Sequence, residues 1–289
     1  MLQFLQLMME FIVQDLQALV PPLLDLCREA GERINTHYHA PGADRFESKG
    51  DSSPLTLADL DSHACLSAGL AQLTPLLPLL SEESTADELA GRLQWREFWL
   101  VDPLDGTKEF LARTGEFTIN IALVRDHRAV LGILYLPLKK TAYVGIPGQL
   151  ARCYQGQDWT HREISVRPLV QGRPMVVLAS RRHQGPRLLR CMEWLERQWG
   201  DIQRDNSGSA LKFCHLAEGR GDFYPRYSPC CEWDTAAGQA ILEAAGGALL
   251  GLDGEPLSYN RRESLLSPEF LALGDPSHPL WASLLEREP

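Results

Sequence analysis

The chain has 289 residues, with 38 Asp and Glu against 28 Lys and Arg, a formal net charge of −10 and 44% apolar residues. This length allows one large domain or two modest ones, and this apolar content excludes a disordered chain. The acidic balance argues against a protein that binds nucleic acid polymers through bulk positive charge. It leaves room for a small anionic substrate, because clustered carboxylates can bind divalent metal ions that in turn attract phosphate.

The first twenty residues are rich in apolar side chains, as those of a targeting signal are. Their apolar side chains recur at three and four positions and no basic segment precedes them, which predicts an amphipathic helix rather than a signal peptide. Pro21 and Pro22 are expected to stop or kink this helix. No stretch is long enough to span a bilayer. Weak contact with the cytoplasmic face of the inner membrane stays open, although the acidic polar face of the helix disfavours it.

Cysteine usage indicates the compartment. The seven cysteines are scattered and form no Cys-x-x-C pair, which favours free thiols in a reducing cytosol. We therefore expect a cytoplasmic protein.

Apolar periodicity and turn residues place the secondary structure along the chain. Helices are predicted at 23–38, 56–73, 188–199, 209–217 and 235–245, and strands at 95–101, 117–125, 130–137, 141–146, 175–180 and 248–252. Helices followed by antiparallel strands make the first half an α+β unit, whereas strands and helices alternate in the second half. Because no low-complexity linker separates the halves, we place a soft boundary between an N-terminal domain at 1–165 and a C-terminal domain at 166–289.

The segment at 102–107, Asp-Pro-Leu-Asp-Gly-Thr, follows an apolar strand. Pro103 lacks an N–H donor and is expected to end that strand. The turn that follows would aim Asp102, Asp105 and the Leu104 carbonyl at one point, and such oxygen ligands suit Mg²⁺. Asp-Pro and Asp-Gly are also common loop dipeptides. An aspartyl-phosphate phosphatase would space its two carboxylates two residues apart, so that chemistry is disfavoured.

Two further segments carry acids at the ends of elements. Ser-Glu-Glu-Ser at 81–84 follows an apolar run, and Trp-Asp-Thr-Ala-Ala-Gly at 233–238 opens an Ala-rich helix. Glu82 could instead lie in a solvated loop, and Asp234 is also expected to cap its helix. Four or five acids from three regions could converge on two metal ions.

These three motifs, in this order and spacing, resemble those of the inositol monophosphatase-like superfamily of Mg²⁺-dependent, lithium-sensitive phosphatases. The resemblance covers nearly the whole chain after the first helix and implies a layered α/β/α/β/α sandwich. The segments at 105–110, 115–123, 211–214 and 224–226 resemble one bacterial branch, the 3'(2'),5'-bisphosphate nucleotidases. Inositol monophosphatases usually have Thr-Asn-Phe where this chain has Lys-Glu-Phe at 108–110.

The resemblance implies a ligand set for two or three Mg²⁺ ions. Glu82, Asp102 and the Leu104 carbonyl would hold the first ion, and Asp102, Asp105 and Asp234 the second. A third, weaker ion would lie near Glu82.

The resemblance also implies catalytic roles. Thr107 and Asp59 would orient the attacking water, and Glu83 would help to activate it. Asp59 could otherwise be an acid that favours the first turn of a helix. The N–H groups of Gly106 and Thr107 would stabilise charge on the phosphate oxygens.

The substrate implied by the branch is a doubly phosphorylated nucleotide. Its predicted contacts are Lys49, Asp105, Gly106, Thr107, Lys108, Ser209, Lys212, Arg226 and Asp234. The implied reaction removes the 3'-phosphate of adenosine 3',5'-bisphosphate by a metal-activated water, which gives AMP and supports sulfur assimilation. The alternatives are an inositol monophosphatase and a metal-binding regulator without catalysis. We expect a monomer or a homodimer.

Overall fold

The computed structural model of the chain describes residues 15–40, 47–48, 54–180 and 185–286. Most of the amphipathic helix expected at 1–20, with its open membrane contact, lies outside the described residues. Lys49 lies outside them as well. Among the described residues, no helix combines the length and the apolarity that a membrane span requires.

Helix α1, Val20–His39, begins where a break was expected. Pro21 and Pro22 lie in its first turn. Most of the preceding helix that they were expected to stop or kink lies outside the described residues, so that expectation stays a prediction. In a first turn the N–H that proline lacks has no intrahelical acceptor, and the fixed φ of proline suits the helix. The helix packs against α2, Leu57–Leu73. Thr56 begins α2 with a capping box, in which its side chain accepts the Ala58 N–H at 3.2 Å.

The first sheet has seven strands in the order β3-β4-β5-β6-β7-β8-β9. They are β3 Leu79–Ser81, β4 Glu97–Asp105, β5 Thr118–Arg125, β6 Arg128–Leu136, β7 Thr141–Ile146, β8 Leu150–Gln155 and β9 Thr160–Glu163. β3 is parallel to β4, and the other neighbours are antiparallel. A separate two-stranded ladder joins β1, Glu47–Ser48, to β2, Pro54–Leu55.

Alternation along the strands divides this sheet into two buried faces. On β4, Trp99 and Val101 join the apolar cluster under α1 and α2, while Phe98 and Leu100 join the cluster on the opposite face. Successive side chains of a strand point to opposite faces, so an unbroken apolar run is what a sheet covered on both sides requires.

The second sheet has five strands in the order β11-β10-β12-β14-β13, with β10 parallel to both of its neighbours. They are β10 Met175–Ala179, β11 Ile202–Asn206, β12 Phe223–Arg226, β13 Ala248–Gly251 and β14 Phe270–Leu273. The helices are α3 Thr107–Leu111, between β4 and β5, then α4 Pro186–Trp199, α5 Leu211–Ala217, α6 Ala236–Ala244 and α7 Leu280–Leu285.

Helices α5 and α6 lie between the two sheets. A Cβ on Gly132 of β6 would come within 2.2 Å of the Ala237 carbonyl oxygen, so glycine is what allows α6 to approach the first sheet. Helices α4 and α7 cover the outer face of the second sheet, where Trp194 and Trp281 join one cluster. The predicted α/β/α/β/α sandwich is confirmed. Strands of the first sheet end by residue 163 and those of the second begin at 175, while the domain boundary at 165/166 stays a prediction.

Candidate active site

Strand β4 carries the first two acids of the site across an irregularity. Asp102 pairs with Asn120 and Asp105 with Thr118, and the register shifts between these two pairs. The expectation that Pro103 ends the strand is therefore wrong. A bulge tolerates a residue without an N–H donor, so the ladder resumes beyond it. Within the bulge, Asp102 Oδ1 accepts the Leu104 N–H at 3.0 Å.

Three carboxylates from two distant segments meet at this bulge. One oxygen from each of Asp102, Asp105 and Asp234 lies within 4.8 Å of the others. Asp234 ends the short 3₁₀ turn before α6, and its Oδ2 accepts the Cys231 N–H at 2.9 Å. The expectation that Asp234 caps the Ala-rich helix is wrong, because Thr235 is the residue that precedes α6 and the carboxylate of Asp234 turns back to Cys231.

The electrostatics of this group favour a bound cation. Burial, and then the charges of Glu82 and Asp105, raise the pKa of Asp102 well above its ordinary range. Burial and the charge of Asp105 raise the pKa of Asp234 to about 7. In the described part of the chain, no Lys or Arg forms an ion pair with Asp102 or Asp105. Hard oxygen donors that repel one another in this way fit Mg²⁺, which neutralises them.

Glu82 lies beside this group rather than inside it. Its N–H donates to the Val101 carbonyl at 3.0 Å, which places it next to the end of β4. The N–H of Glu83 is 3.4 Å from Ser81 Oγ. That hydroxyl lies 2.9 Å from His63 Nδ1 of α2, so the turn after β3 is fixed to the helix that carries Asp59.

Thr107 and Asp59 come together as the sequence predicts, but Thr107 has two acceptors. Its hydroxyl lies 3.3 Å from Asp59 Oδ1 and 3.3 Å from the Leu104 carbonyl. The Asp59 side chain is buried, and its Oδ2 accepts the Thr56 N–H at 2.8 Å. One hydroxyl proton serves one acceptor at a time, so the hydroxyl can switch between Asp59 and Leu104.

Gly106 allows the chain to turn from β4 into α3. Its φ is +92°, a conformation open to glycine, and a Cβ there would lie 3.1 Å from Ser209 Cβ. Lys108 follows on α3 and is exposed at the edge of the cleft.

A cleft extends from the carboxylates between the two halves. Its empty volume is about 670 Å³, which includes the space at its mouth that is open to solvent. Its wall includes the predicted substrate residues Asp105, Gly106, Lys108, Ser209, Lys212, Arg226 and Asp234. The wall also includes residues that sequence reasoning missed, notably Ser180, Gly208, Tyr224 and Phe270. Only their positions at strand ends, and the close approach that a glycine permits, could have pointed to them.

The two cations of the cleft, buried Lys212 and half-buried Arg226, are held by the protein's own oxygens. Lys212 Nζ donates to the carbonyls of Ser207 at 3.1 Å and Ser209 at 2.7 Å, and burial, followed by the charge of Arg226, lowers its pKa to about 8. The Arg226 guanidinium donates to the Tyr224 hydroxyl and to the Pro229 carbonyl, at 3.3 and 3.0 Å. Contact of either residue with substrate stays a prediction.

The comparisons with known proteins agree with this geometry. The model of the inositol monophosphatase family matches residues 15–284. The chain is 43% identical to the 3'(2'),5'-bisphosphate nucleotidase CysQ of Salmonella typhimurium and 42% identical to that of Escherichia coli K12, each over 85% of this chain and 95% of the relative. The crystal structure of CysQ from Bacteroides thetaiotaomicron superposes with a TM-score of 0.77 at 38% identity, over 89% of this chain and 97% of that one. The chain therefore belongs to the inositol monophosphatase family.

Proposed function

We propose that the chain is a Mg²⁺-dependent 3'(2'),5'-bisphosphate nucleotidase. It removes the 3'-phosphate of adenosine 3',5'-bisphosphate and releases AMP and phosphate. The observation that carries this proposal is the group of three carboxylates at one end of a cleft that also contains Lys212 and Arg226. The relatives that bear the nucleotidase name match nearly their whole length, which supports the same substrate here.

The residues that would hold Mg²⁺ are Asp102, Asp105 and Asp234, with Glu82 and the Leu104 carbonyl beside them. Bound there, Mg²⁺ would neutralise the buried carboxylates, attract phosphate and lower the pKa of a water molecule. We propose two or three ions.

Thr107 and Asp59 would orient the water. When the Thr107 hydroxyl donates a hydrogen bond to Asp59 Oδ1, its oxygen can accept a hydrogen bond from the attacking water. The Asp59 carboxylate is fixed by the hydrogen bond that it accepts from the Thr56 N–H, so this acceptor for Thr107 is in place before substrate binds. Glu83 is the proposed helper in proton removal.

Two phosphates require two positive regions. The N–H groups of Gly106 and Thr107 lie where β4 turns into α3, and we propose that they bind the phosphate that is cleaved. Lys212 and Arg226 give the rest of the cleft a positive charge, which suits the second phosphate. Ser209 and Lys108 are the further proposed contacts.

We place the reaction in the cytoplasm, in support of sulfur assimilation. All seven cysteines are free thiols, and six of them are buried, which fits a reducing compartment. The described residues give no support to peripheral membrane association, and we do not propose it. The expected monomer or homodimer stays a prediction, which light scattering after size-exclusion chromatography checks.

The experiment that tests the substrate compares phosphate release from adenosine 3',5'-bisphosphate and from inositol 1-phosphate at equal concentrations with Mg²⁺. We expect kcat/KM to favour the bisphosphate by at least about a hundredfold, because inositol 1-phosphate lacks the second phosphate that Lys212 and Arg226 would bind. Equal values, or a preference for inositol 1-phosphate, would assign the chain to the other branch of the family.

A further inference from the structure

The loop at 207–210, between β11 and α5, forms part of the second half but lies against the first. Gly208 permits this approach, since a Cβ there would lie 2.7 Å from Glu109 Cγ. On the other side of the contact, Gly106 leaves room for Ser209. The 207–210 loop is therefore one place, besides Asp234, at which the second half touches the turn that carries Asp105.

Two backbone N–H groups cross from the loop to carboxylates of the first half. The Gly208 N–H donates to Glu116 Oε2 at 2.8 Å, and the Ala210 N–H donates to Asp105 Oδ2 at 2.6 Å. Hydrogen bonds to charged acceptors are the stronger class and fix direction. The orientation of the Asp105 carboxylate thus depends on where the loop holds the Ala210 N–H.

The shape of the loop is fixed from within as well. Ser209 has a φ of +46°, a left-handed conformation that costs energy for a residue with a Cβ. Lys212 stabilises this turn, because its ammonium donates to the carbonyls of both Ser207 and Ser209. A loop that is rigid internally moves as a unit, so anchoring one of its N–H groups places the other.

We propose that Glu116 is a positioning residue for the metal site. By accepting the Gly208 N–H, Glu116 holds the 207–210 loop so that the Ala210 N–H fixes Asp105 in the orientation that binds Mg²⁺. The inference rests on the proposed metal role of Asp105, and it adds a link through which the second half of the chain acts on a ligand of the first.

The test compares Glu116→Ala with Glu116→Gln in the full chain. Glutamine keeps an acceptor oxygen at the same reach and loses the charge, whereas alanine loses both. Asp253→Ala is the matched control, because Asp253 also accepts a backbone N–H, that of Glu255 at 3.1 Å, in an exposed turn outside the cleft.

Calorimetric titration with Mg²⁺ alone, without substrate, is the principal measurement. We expect Glu116→Ala to weaken Mg²⁺ binding about tenfold, and Glu116→Gln and Asp253→Ala to stay within about threefold of the unmodified protein. Thermal unfolding without Mg²⁺ should give nearly the same Tm for Glu116→Ala and Glu116→Gln, which separates positioning from stability. At low Mg²⁺ concentration Glu116→Ala should also have a lower kcat than the unmodified protein, and saturating Mg²⁺ should restore most of it.

Two results would overturn the inference. If Glu116→Gln weakens Mg²⁺ binding as much as Glu116→Ala, the charge of Glu116 acts at a distance and the hydrogen bond does not position the loop. If Mg²⁺ binding is unchanged in both variants, the loop does not orient Asp105. Because this titration uses no nucleotide, it is independent of whether adenosine 3',5'-bisphosphate is the substrate.

Discussion

The buried carboxylates of the active site are expected to lower the stability of the metal-free protein, and Asp234→Asn should restore part of that stability. Burial, and then the charge of Asp105, raise the pKa of Asp234 from its ordinary value of 3.8 to about 7. Between these two values the folded state binds more protons than the unfolded state. Stability of the metal-free protein is therefore highest below about pH 4 with respect to this group, and falls as the pH rises towards 7.

The magnitude follows from the size of the shift. At about 1.4 kcal/mol per pKa unit, the full shift of Asp234 corresponds to about 4 kcal/mol. Asp234 keeps part of its surface towards the cleft and titrates together with neighbouring carboxyls, so we expect on the order of 2 kcal/mol. For a chain of this size that difference raises Tm by roughly 3 °C. Asparagine retains an oxygen that can accept the Cys231 N–H, so the turn before α6 should persist.

Thermal unfolding in EDTA at pH 5 and pH 8 measures this effect. We expect Asp234→Asn to have a higher Tm than the unmodified protein at pH 8, with a smaller gain at pH 5. Addition of Mg²⁺ should then raise the Tm of the unmodified protein more than that of the variant. Asp253→Asn, in an exposed turn, serves as the control and should change neither value. A metal-free Asp234→Asn protein that is less stable at pH 8 would refute the reasoning, because burial and the charge of Asp105 would then not disfavour the ionised Asp234 carboxylate.

Three further predictions concern residues around the site. Thr107→Val should lower kcat by about a hundredfold with little change in Tm, because valine has no hydroxyl to orient water beside Asp59. Steady-state kinetics measures the loss, and Thr107→Ser, which keeps the hydroxyl, is the active control. Gly132→Ala should lower the free energy of unfolding by about 3 kcal/mol, because the new Cβ would lie 2.2 Å from the Ala237 carbonyl oxygen. Denaturation by urea measures this loss, and an unchanged midpoint would contradict the packing argument. Asn260→Ala should lower the free energy of unfolding by about 3 kcal/mol in the same assay, because it removes both hydrogen bonds between the buried Asn260 side chain and Arg92. A loss below about 1 kcal/mol would show that water replaces these bonds.

The central strands and the capping of α2 could be read from the sequence because their signals are local. Strand β5 lies at 118–125 where 117–125 was predicted, and α2 lies at 57–73 where a helix at 56–73 was predicted. The Thr56-x-x-Asp59 spacing at its start is that of a capping box, although the sequence analysis did not name it. Apolar alternation and a capping pair depend on residues a few positions apart, so no knowledge of the tertiary structure is needed.

Other strands carry no such signal. Strand β9 is exposed along its length, and β11, Ile-Gln-Arg-Asp-Asn, is mostly polar. Both lie at the edge of a sheet, where one neighbour suffices to form them and few apolar contacts are required. Pairing with β8 and β10 therefore decides these strands, and that pairing is not written in their own residues.

Pro103 was misread because the effect of a proline depends on its position. Pro21 and Pro22 lie in the first turn of α1, where the N–H that proline lacks would have no intrahelical acceptor. Pro103 was expected to end β4 and instead lies in a bulge, beyond which Asp105 rejoins the ladder. The residue type alone states that a donor is missing; the neighbouring strand or the preceding turn determines whether the donor was needed.

Of the site itself, the sequence predicted that the carboxylates come together. The motifs at 102–107 and 233–238 indicated carboxylates that converge, and the structure brings three of them together. The hydrogen bonds from the Gly208 N–H to Glu116 and from the Ala210 N–H to Asp105 were not predicted, because a bond from a backbone group ninety or more residues away leaves no pattern in the sequence.

The most direct test of the account is phosphate release from adenosine 3',5'-bisphosphate by the unmodified protein and by Asp105→Asn, with Mg²⁺, with EDTA, and with Mg²⁺ plus lithium. We predict turnover by the unmodified protein in Mg²⁺, inhibition by lithium, and loss of turnover by several orders of magnitude in EDTA or with Asp105→Asn, which should remain folded. Undiminished phosphate release in EDTA, or near-normal turnover by Asp105→Asn, would contradict a mechanism that depends on Mg²⁺ at these carboxylates.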